Sequence, residues 1–430
     1  MTHRLTVTTL AALLCLALIP LAAIAADDDA ALDLQVSPPE PSTLAAAASA
    51  GQPGRLSAEL AYGRLQRRST GESIDTHRVS IDFRREWTLA PGWRLGLSDR
   101  LDQQSPQEPG DRSTLNSLRE AYVSWQSDGA EAWGVDLGRV QWRNGPGYGF
   151  NPTDYFRRGS LRTLTTADPI ALRENRLGTA MLRVQRLWAD GSVSVALAPK
   201  LADAPSSSSA SLDLGSTNNS DRLLAVWSQR LPGGINAQAL LLAERHKSPS
   251  VGASATALLS AAAVGFVEWS GGSERAAIDV AAGRPAPQAW RNRLAAGLTH
   301  TTTSRLSLTA EYDYNGAAPD GATWDRALLL APQDIEQVLR ASALAQDSAS
   351  RSAWLVYVTQ KSLLLKDLDL TALLRRNQQD GSTFAWLELR HHFKTADLAL
   401  QWQRAQGRAG SEYGLIPARQ WLQAVGTWYF

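Results

Sequence analysis

The chain has a single cysteine, Cys15, in 430 residues. It lies inside the apolar run from Leu10 to Ile24, which only Pro20 interrupts. A lipoprotein signal needs a small residue just before its cysteine, and here Leu13 and Leu14 precede it. Residues 1–25 read as a secretory signal, with His3 and Arg4 before the apolar run and the small residues of Ala23-Ile24-Ala25 at the cut. Cleavage near Ala25 would leave a mature chain with no thiol. That excludes disulfides, thiolate metal sites and cysteine nucleophiles together, and it suits passage through an oxidising periplasm.

Charge of one sign is lacking too. Lys and Arg number 43 against 42 Asp and Glu, a net charge of +1. A nucleic-acid binder would carry a clear basic excess, so that partner is excluded. Beyond the signal there is no apolar run of about 20 residues, the length a membrane-crossing helix needs. The mean hydropathy is −0.23. Histidine is scarce: His3, His77, His246, His300, His391 and His392. No G-x-S-x-G or H-E-x-x-H motif occurs. His391 and His392 are adjacent, so on a strand they point to opposite faces and cannot form a dyad. The sequence therefore points away from an enzyme and calls for no cofactor or metal. An outer-membrane hydrolase is the weakest of the readings considered.

What is present is alternation. From Thr76 to Leu89, Val79, Ile81, Phe83, Trp87 and Leu89 share one face; Ser80, Asp82, Arg84, Glu86 and Thr88 share the other. Only Arg85 breaks the apolar face. Period 2 over such a length predicts a strand. Similar runs recur at 56–66, 93–101, 116–126, 132–142, 176–188, 192–199, 221–230, 234–245, 256–269, 275–283, 291–301, 305–315, 351–361, 367–376, 382–393, 396–405 and 420–430. Most have the length that crosses a bilayer as a tilted strand.

The connections alternate as well. Ala90-Pro91-Gly92, Ala189-Asp190-Gly191, Leu231-Pro232-Gly233 and Lys394-Thr395 are tight; 102–115, 143–175, 200–220, 316–350 and 406–419 are long. Short turns alternating with long loops are the pattern of a bacterial outer-membrane barrel. The fold expected is all-β: a transmembrane antiparallel β-barrel of about 18 strands (16–18), with two especially long extracellular loops. Residues 26–54, rich in Ala, Pro and Ser, read as a flexible leader. Residues 55–430 read as one barrel domain, although length alone would suggest about two or three soluble domains. A barrel this wide leaves a hydrated lumen. With residues 26–54 read as a leader, no N-terminal plug is expected.

Two further features fit. Fifteen tryptophans include Trp87, Trp93, Trp133, Trp188 and Trp428 near strand ends, as interfacial girdles require. The chain closes on Trp421, Leu422, Val425, Trp428, Tyr429 and Phe430. An aromatic last strand ending in Phe resembles the C-terminal signal of outer-membrane barrels. It implies that Trp428 and Phe430 are read by the barrel-assembly machinery, with outer-membrane lipid as the surrounding partner.

Candidate functional residues lie on polar strand faces and in the first long loop. Asp82, Arg84 and Glu86, and Glu311 with Ser307, Thr309 and Asp313, would face the lumen. Mixed signs suggest a transverse field, or charges that simply pair. Arg outnumbers Lys by 38 to 5, which suits paired charges in a confined wall. The strand end and loop together, 138–175, begin with Arg139, Trp142 and Arg143, then Gly145, Gly147 and Gly149, whose spacing permits tight backbone angles. Asn151-Pro152 favours a turn, and Thr153 or Asp154 could cap a helix. Arg157, Arg158, Arg173 and Glu174 complete the set. One reading folds this loop into the lumen as a constriction, gripped by Tyr148, Tyr155 and Phe156. The other makes it a packed extracellular cap. In the second long loop, Ile335, Val338, Leu339 and Leu344 recur at helical spacing. Such a helix would plug the mouth, pack on the first loop or decorate the surface.

Gly138, Arg139, Trp142 and Gly145, followed by Asn151, Pro152 and Asp154, resemble a pattern in porin-like outer-membrane barrels, distantly those of the alginate-export type. The match covers about twenty residues and departs from the pattern where Arg143-Asn144 separate Trp142 from Gly145. The resemblance implies passive or partner-assisted transport and names no substrate; the lumen and loop residues favour a channel for small hydrophilic or amphiphilic solutes. The alternative is a loop-plugged structural or export-partner barrel serving polysaccharide, lipid or surface-assembly machinery. A homo-oligomer and a periplasmic partner both remain open.

Overall fold

The computed structural model describes residues 54–105, 113–129, 131–206 and 208–430. The expected signal and all but the last residue of the leader lie outside them.

Eighteen strands form one sheet. They are β1 Arg55–Arg67, β2 Ser73–Ala90, β3 Trp93–Gln104, β4 Thr114–Gln126, β5 Trp133–Val140, β6 Thr179–Trp188, β7 Gly191–Ala198, β8 Arg222–Leu231, β9 Ile235–Glu244, β10 Ser250–Ser260, β11 Ala263–Glu274, β12 Ala289–Thr301, β13 Leu306–Asn315, β14 Ser352–Gln360, β15 Leu368–Asn377, β16 Thr383–His392, β17 Ala396–Gln406 and β18 Ala418–Tyr429. Each pairs antiparallel with the next, and β18 pairs back onto β1 from Ser57↔Tyr429 to Arg67↔Ala418. The sheet is therefore a closed barrel without free edges, the only form in which strands satisfy every backbone group in lipid.

Strand β7 shows why the sequence closes this way. Val193, Val195 and Leu197 point outward and are 38%, 40% and 53% exposed, while Ser194, Ala196 and Ala198 are buried inside. Rows of exposed Leu, Val and Trp continue around the outside, including Leu60, Ile81, Leu137, Leu241, Leu298 and Leu400. Such a surface would be unfavourable in water and is the favourable face in a bilayer. Among the described residues no helix is long and apolar enough to cross a membrane.

Two strand assignments from the sequence are corrected. Residues 256–269 span the turn between β10 and β11. Residues 275–283 hold a helix, Ala277–Ala281, where a strand was expected. Small residues on both sides of Ala261-Ala262 hide the turn from a periodicity argument, because Ala carries little polarity contrast. The two errors offset each other in the strand count.

The long connections gather at one end of the barrel. Two of them carry the helices that matter here: α1 Pro169–Glu174 between β5 and β6, and α4 Gly321–Leu330 and α5 Pro332–Ala345 between β13 and β14. Shorter helices α2 Leu214–Thr217 and α3 Ala277–Ala281 lie in neighbouring loops. Ile335 and Val338 of α5 pack with Trp324 of α4 and Ile278 of α3 into a small apolar core above the barrel. Trp324 also donates from Nε1 to Gly410 O at 2.8 Å, which ties the helices to the last long loop.

Candidate functional site

The first long loop leaves the barrel wall inward. β5 ends at Val140 and β6 begins at Thr179. Gly178 takes over at the seam, donating its N–H to Arg119 O of β4 at 2.7 Å. A Cβ at Gly178 would sit 2.7 Å from both Arg119 O and the Val140 carbonyl carbon, so glycine is needed for the wall to close. Arg139 holds the same point: it donates from Nε to Gly178 O at 2.9 Å and reaches Leu212 O and Thr217 Oγ1 in the neighbouring loop. Arg139 is thus buried in the wall.

Inside, the glycine-rich segment wraps two lumen-facing carboxylates. Glu311 of β13 accepts from the N–H groups of Tyr148 (2.6 Å), Gly149 (2.8 Å) and Phe150 (3.0 Å). Glu268 of β11 accepts from Gly147 N (3.1 Å), Thr153 N (2.7 Å) and Thr153 Oγ1 (2.8 Å). Both carboxylates are fully buried. Gly145 has φ +84°, and a Cβ there would run into the Glu268 carboxylate. Asn151 donates from Nδ2 to Gly147 O at 2.5 Å, closing the turn that Asn151-Pro152 predicted. Asp154 pairs with Arg176 at 2.5 Å. Burial outweighs that pairing for Arg176 and lowers its pKa to about 10.

Aromatic side chains seat the loop against apolar patches of the wall. Tyr148 and Ile170 pack on Leu355, Tyr357, Leu373 and Trp386 of β14 to β16. Phe156, with Trp142 and Tyr155, packs on Met181, Leu224, Val226 and Leu240 across the barrel. Asp168 caps α1 by accepting from Ile170 N at 3.1 Å and also accepts from Tyr357 OH at 3.0 Å. Burial pushes the Asp168 carboxyl up to about 6.

Opposite the glycines, β1 to β4 carry a charged wall. Arg78 pairs with Glu59 at 2.5 Å; Arg100 pairs with Glu59 (3.0 Å), Asp102 (3.0 Å) and Asp82 (3.5 Å); Arg119 pairs with Asp82 at 2.5 Å. This wall also holds the loop: Arg78 and Gln423 reach Thr165 O, Thr163 bonds Asp102, and Arg119 reaches Asn175 Oδ1. Mixed signs on one wall therefore mean pairing for most of these charges.

The external helices touch the loop as well. Gly159 N donates to Leu344 O at 2.8 Å, at the end of α5. Arg157 reaches Asn151 O, Ala345 O at 3.2 Å and Asp347 at 3.3 Å. Arg375 of β15 joins all three layers: Asp313 of the wall, Gly149 O of the lumen loop and Ser348 of the outer loop, each at 3.1 Å. Arg173 donates to Gly145 O at 3.0 Å and so braces the loop from within.

A few candidates reach water instead. The Arg84 side chain is 53% exposed and lies 3.5 Å from Glu120. Glu86 pairs with Arg94 at 3.3 Å. Arg158 and Glu174 are exposed, and Arg143 is half-buried. Trp428 and Phe430 are exposed on the outer wall, where Phe430 N donates to Leu56 O at 2.9 Å. His392 bonds Asp397 (2.9 Å) and Asp369 (3.2 Å), whereas His391 stacks edge-on with Phe393, so the two adjacent histidines serve different neighbours.

Sequence reasoning missed Glu268, Asp168, Tyr357 and Arg375. Glu268 had a signal: it is the lone charge in Ala261–Gly272, a run otherwise small, apolar or hydroxylated.

No protein-family model and no curated protein matches the sequence. Solved structures do. Pseudomonas aeruginosa OccK2, in complex with glucuronate, superposes with a TM-score of 0.52 at 10% identity, over 88% of this chain and 98% of that one. Acinetobacter baumannii OccAB1 superposes with a TM-score of 0.53 at 10% identity, over 88% and 96%. The fold is that of the bacterial outer-membrane porins. The barrel here has its first long loop inside the lumen, fastened to wall strands on several sides.

Proposed function

We propose that this porin-fold barrel sits in the bacterial outer membrane and passes small hydrophilic or amphiphilic solutes, with the loop between β5 and β6 setting the constriction. The observation that carries the reading is the seating of residues 145–153 on Glu268 and Glu311, which holds backbone and side chains of the loop across the lumen. Arg158 and Glu174, the exposed charges of the loop, with its half-buried Arg143 and the exposed Arg84 of the wall, are the groups that would meet a solute. The glucuronate bound by OccK2 is a solute of the proposed class. The signal would direct export and be cleaved near Ala25 before the barrel reaches the outer membrane, and Trp428 and Phe430 would be the end read by the barrel-assembly machinery. Lipid surrounds the barrel; a homo-oligomer or a periplasmic partner is compatible with it.

A second reading has its own support. The loop is bonded to wall residues from β2, β3, β4, β11, β13, β14 and β15, which suits a plugged barrel acting as an export or assembly partner. Planar-bilayer recording of the full barrel and of a variant lacking 145–170 separates the two. A constricted channel conducts, and deletion changes its conductance and ion selectivity. A plugged barrel is silent until the deletion opens it. A deletion that alters neither property sinks both readings.

A further inference from the structure

Three short turns and the start of the barrel meet at one rim. Lys361 N donates to Arg305 O at 3.3 Å, His392 N to Asp367 O at 2.8 Å, Tyr429 N to Thr395 O at 3.0 Å and Phe430 N to Leu56 O at 2.9 Å. These bonds run from the turn 302–305, between β12 and β13, through 361–367, between β14 and β15, and 393–395, between β16 and β17, to the first residues of β1. The rim is basic. Three of the chain's five lysines, Lys361, Lys366 and Lys394, lie in two of its turns, and Asp367 is the single acid in all three turns. Lys361 is taken by Asp369 at 2.9 Å. Arg305, Lys366 and Lys394 are exposed, and among the described residues none of them has a carboxylate partner.

Apolar side chains stand beside these cations. Leu364 is 92% exposed, Leu365 64% and Phe393 55%. The turn holds its leucines out: Leu363 N donates to Leu368 O and Leu365 N to Leu363 O, each at 2.6 Å, and Ser362 N donates to Asp369 Oδ1 at 2.9 Å. Leu364 has φ +60°, a conformation that a side-chain-bearing residue keeps only where its surroundings impose it. The turn lies beyond the last ladder pair of β14 and β15, Gln360↔Leu370, and so beyond the apolar band of the strands. Leucines fixed in that position call for a covering surface.

The chain before Gly54 has the complementary character. Between Arg4 and Arg55 it holds no Lys or Arg; its acids are Asp27, Asp28, Asp29, Asp33 and Glu40, with Leu32, Leu34 and Val36 among them. It joins the barrel at this same rim, because β1 begins at Arg55. The turn bearing Lys394 is two strands away, about 10 Å, and the one bearing Lys366 is four strands away, about 20 Å. From Glu40 to Gly54 the chain reaches up to about 45 Å. We propose that residues 27–40 dock on the rim, with their acids against Arg305, Lys366 and Lys394 and with Leu32, Leu34 and Val36 against Leu364, Leu365 and Phe393. The tether holds the acids at an effective concentration on the order of millimolar, so exposed ion pairs and a small apolar contact are enough. The docking holds whether or not a solute passes the lumen.

The test is the acetylation rate of each of the five lysines, read by mass spectrometry, in the full barrel with its leader and in a variant lacking 27–40. Both are folded in zwitterionic detergent micelles. Lys366 and Lys394 should react about threefold faster without the segment. Lys200 and Lys247, on the long loops and paired with Asp203 and Glu244, should react alike in both and serve as controls. A second variant keeps the length of the leader and carries Asp27→Asn, Asp28→Asn, Asp29→Asn, Asp33→Asn and Glu40→Gln. It should react like the deletion, and it keeps the proposal falsifiable if the deletion fails to assemble. Equal rates at Lys366 and Lys394 in wild type and variants overturn the proposal. So does protection seen only in phosphatidylglycerol vesicles and equally in all three proteins, which would assign the rim to anionic lipid. Protection seen only in native outer membranes, again in all three, would assign it to a partner protein and overturn the proposal as well.

Discussion

The Glu311 carboxylate on β13 accepts the Gly149 N–H at 2.8 Å, with the N–H groups of Tyr148 and Phe150 on the same carboxylate. A wall side chain thus does for the loop what a neighbouring strand would do for a strand. Glu311→Ala orphans one buried donor, Phe150 N, at a cost of about 1–3 kcal/mol, and two part-buried ones, Tyr148 N and Gly149 N. The expected outcome is a loop that detaches while the barrel stays folded. Amide exchange at Gly149 and protease cleavage within 145–153 should both accelerate, with heat modifiability unchanged. Unchanged exchange at Gly149 would mean that the aromatic seats alone hold the loop.

Arg157 links the lumen loop to the external helices through Ala345 O and Asp347. Arg157→Lys keeps the charge but cannot make the same set of planar contacts. Amide exchange at Gly159, whose N–H donates to Leu344 O, should rise about tenfold or more. Exchange in the α4–α5 apolar core should stay as it was. Equal protection of Gly159 in both proteins would show that the two loops are not coupled through Arg157.

Asp168 gives the loop a pH dependence of calculable sign. Its folded pKa is raised to about 6 by burial, above the ~3.9 of an unfolded Asp. The folded state therefore holds the proton more tightly. The stabilisation is full below about pH 4 and is lost as pH rises through about 6. Wild-type loop should resist protease better at pH 5 than at pH 7. Asp168→Asn, which keeps an N-cap, should be equally resistant at both. A wild-type loop that loosens on acidification would contradict the assignment.

Phe430 pairs its N–H with Leu56 O at the barrel seam and leaves its ring exposed. Deleting Phe430 should reduce membrane-inserted, heat-modifiable barrel severalfold in cells, while protein refolded into detergent micelles forms normally. A matching defect in both settings would make Phe430 a stability residue instead of an assembly signal.

The barrel itself was legible because membrane strands must alternate and must close. Val79, Ile81, Asp82 and Arg84 reveal their faces by periodicity alone. The helix over Ile335 and Val338 was legible for the same reason, at a different period. The lumen loop was legible only as unusual composition. Gly145, Gly147 and Gly149 announced tight backbone, but the partner that demands it, Glu268, is more than a hundred residues away and carries no local mark. Arg139, Arg157 and Arg173 read as lumen-lining because they are arginines in a loop. They hold backbone carbonyls, a use of guanidinium that spacing does not disclose. The helix at Ala277–Ala281 and the turn at Ala261-Ala262 were hidden by small residues that serve either structure.

The central claim is that Glu268 and Glu311 hold the loop as the constriction of a solute channel. Single-channel recording of wild type beside Glu268→Ala/Glu311→Ala tests it most directly. The account predicts that the double variant, folded and heat-modifiable, conducts several times more than wild type and loses wild-type ion selectivity. Identical conductance and selectivity in the two barrels would contradict it.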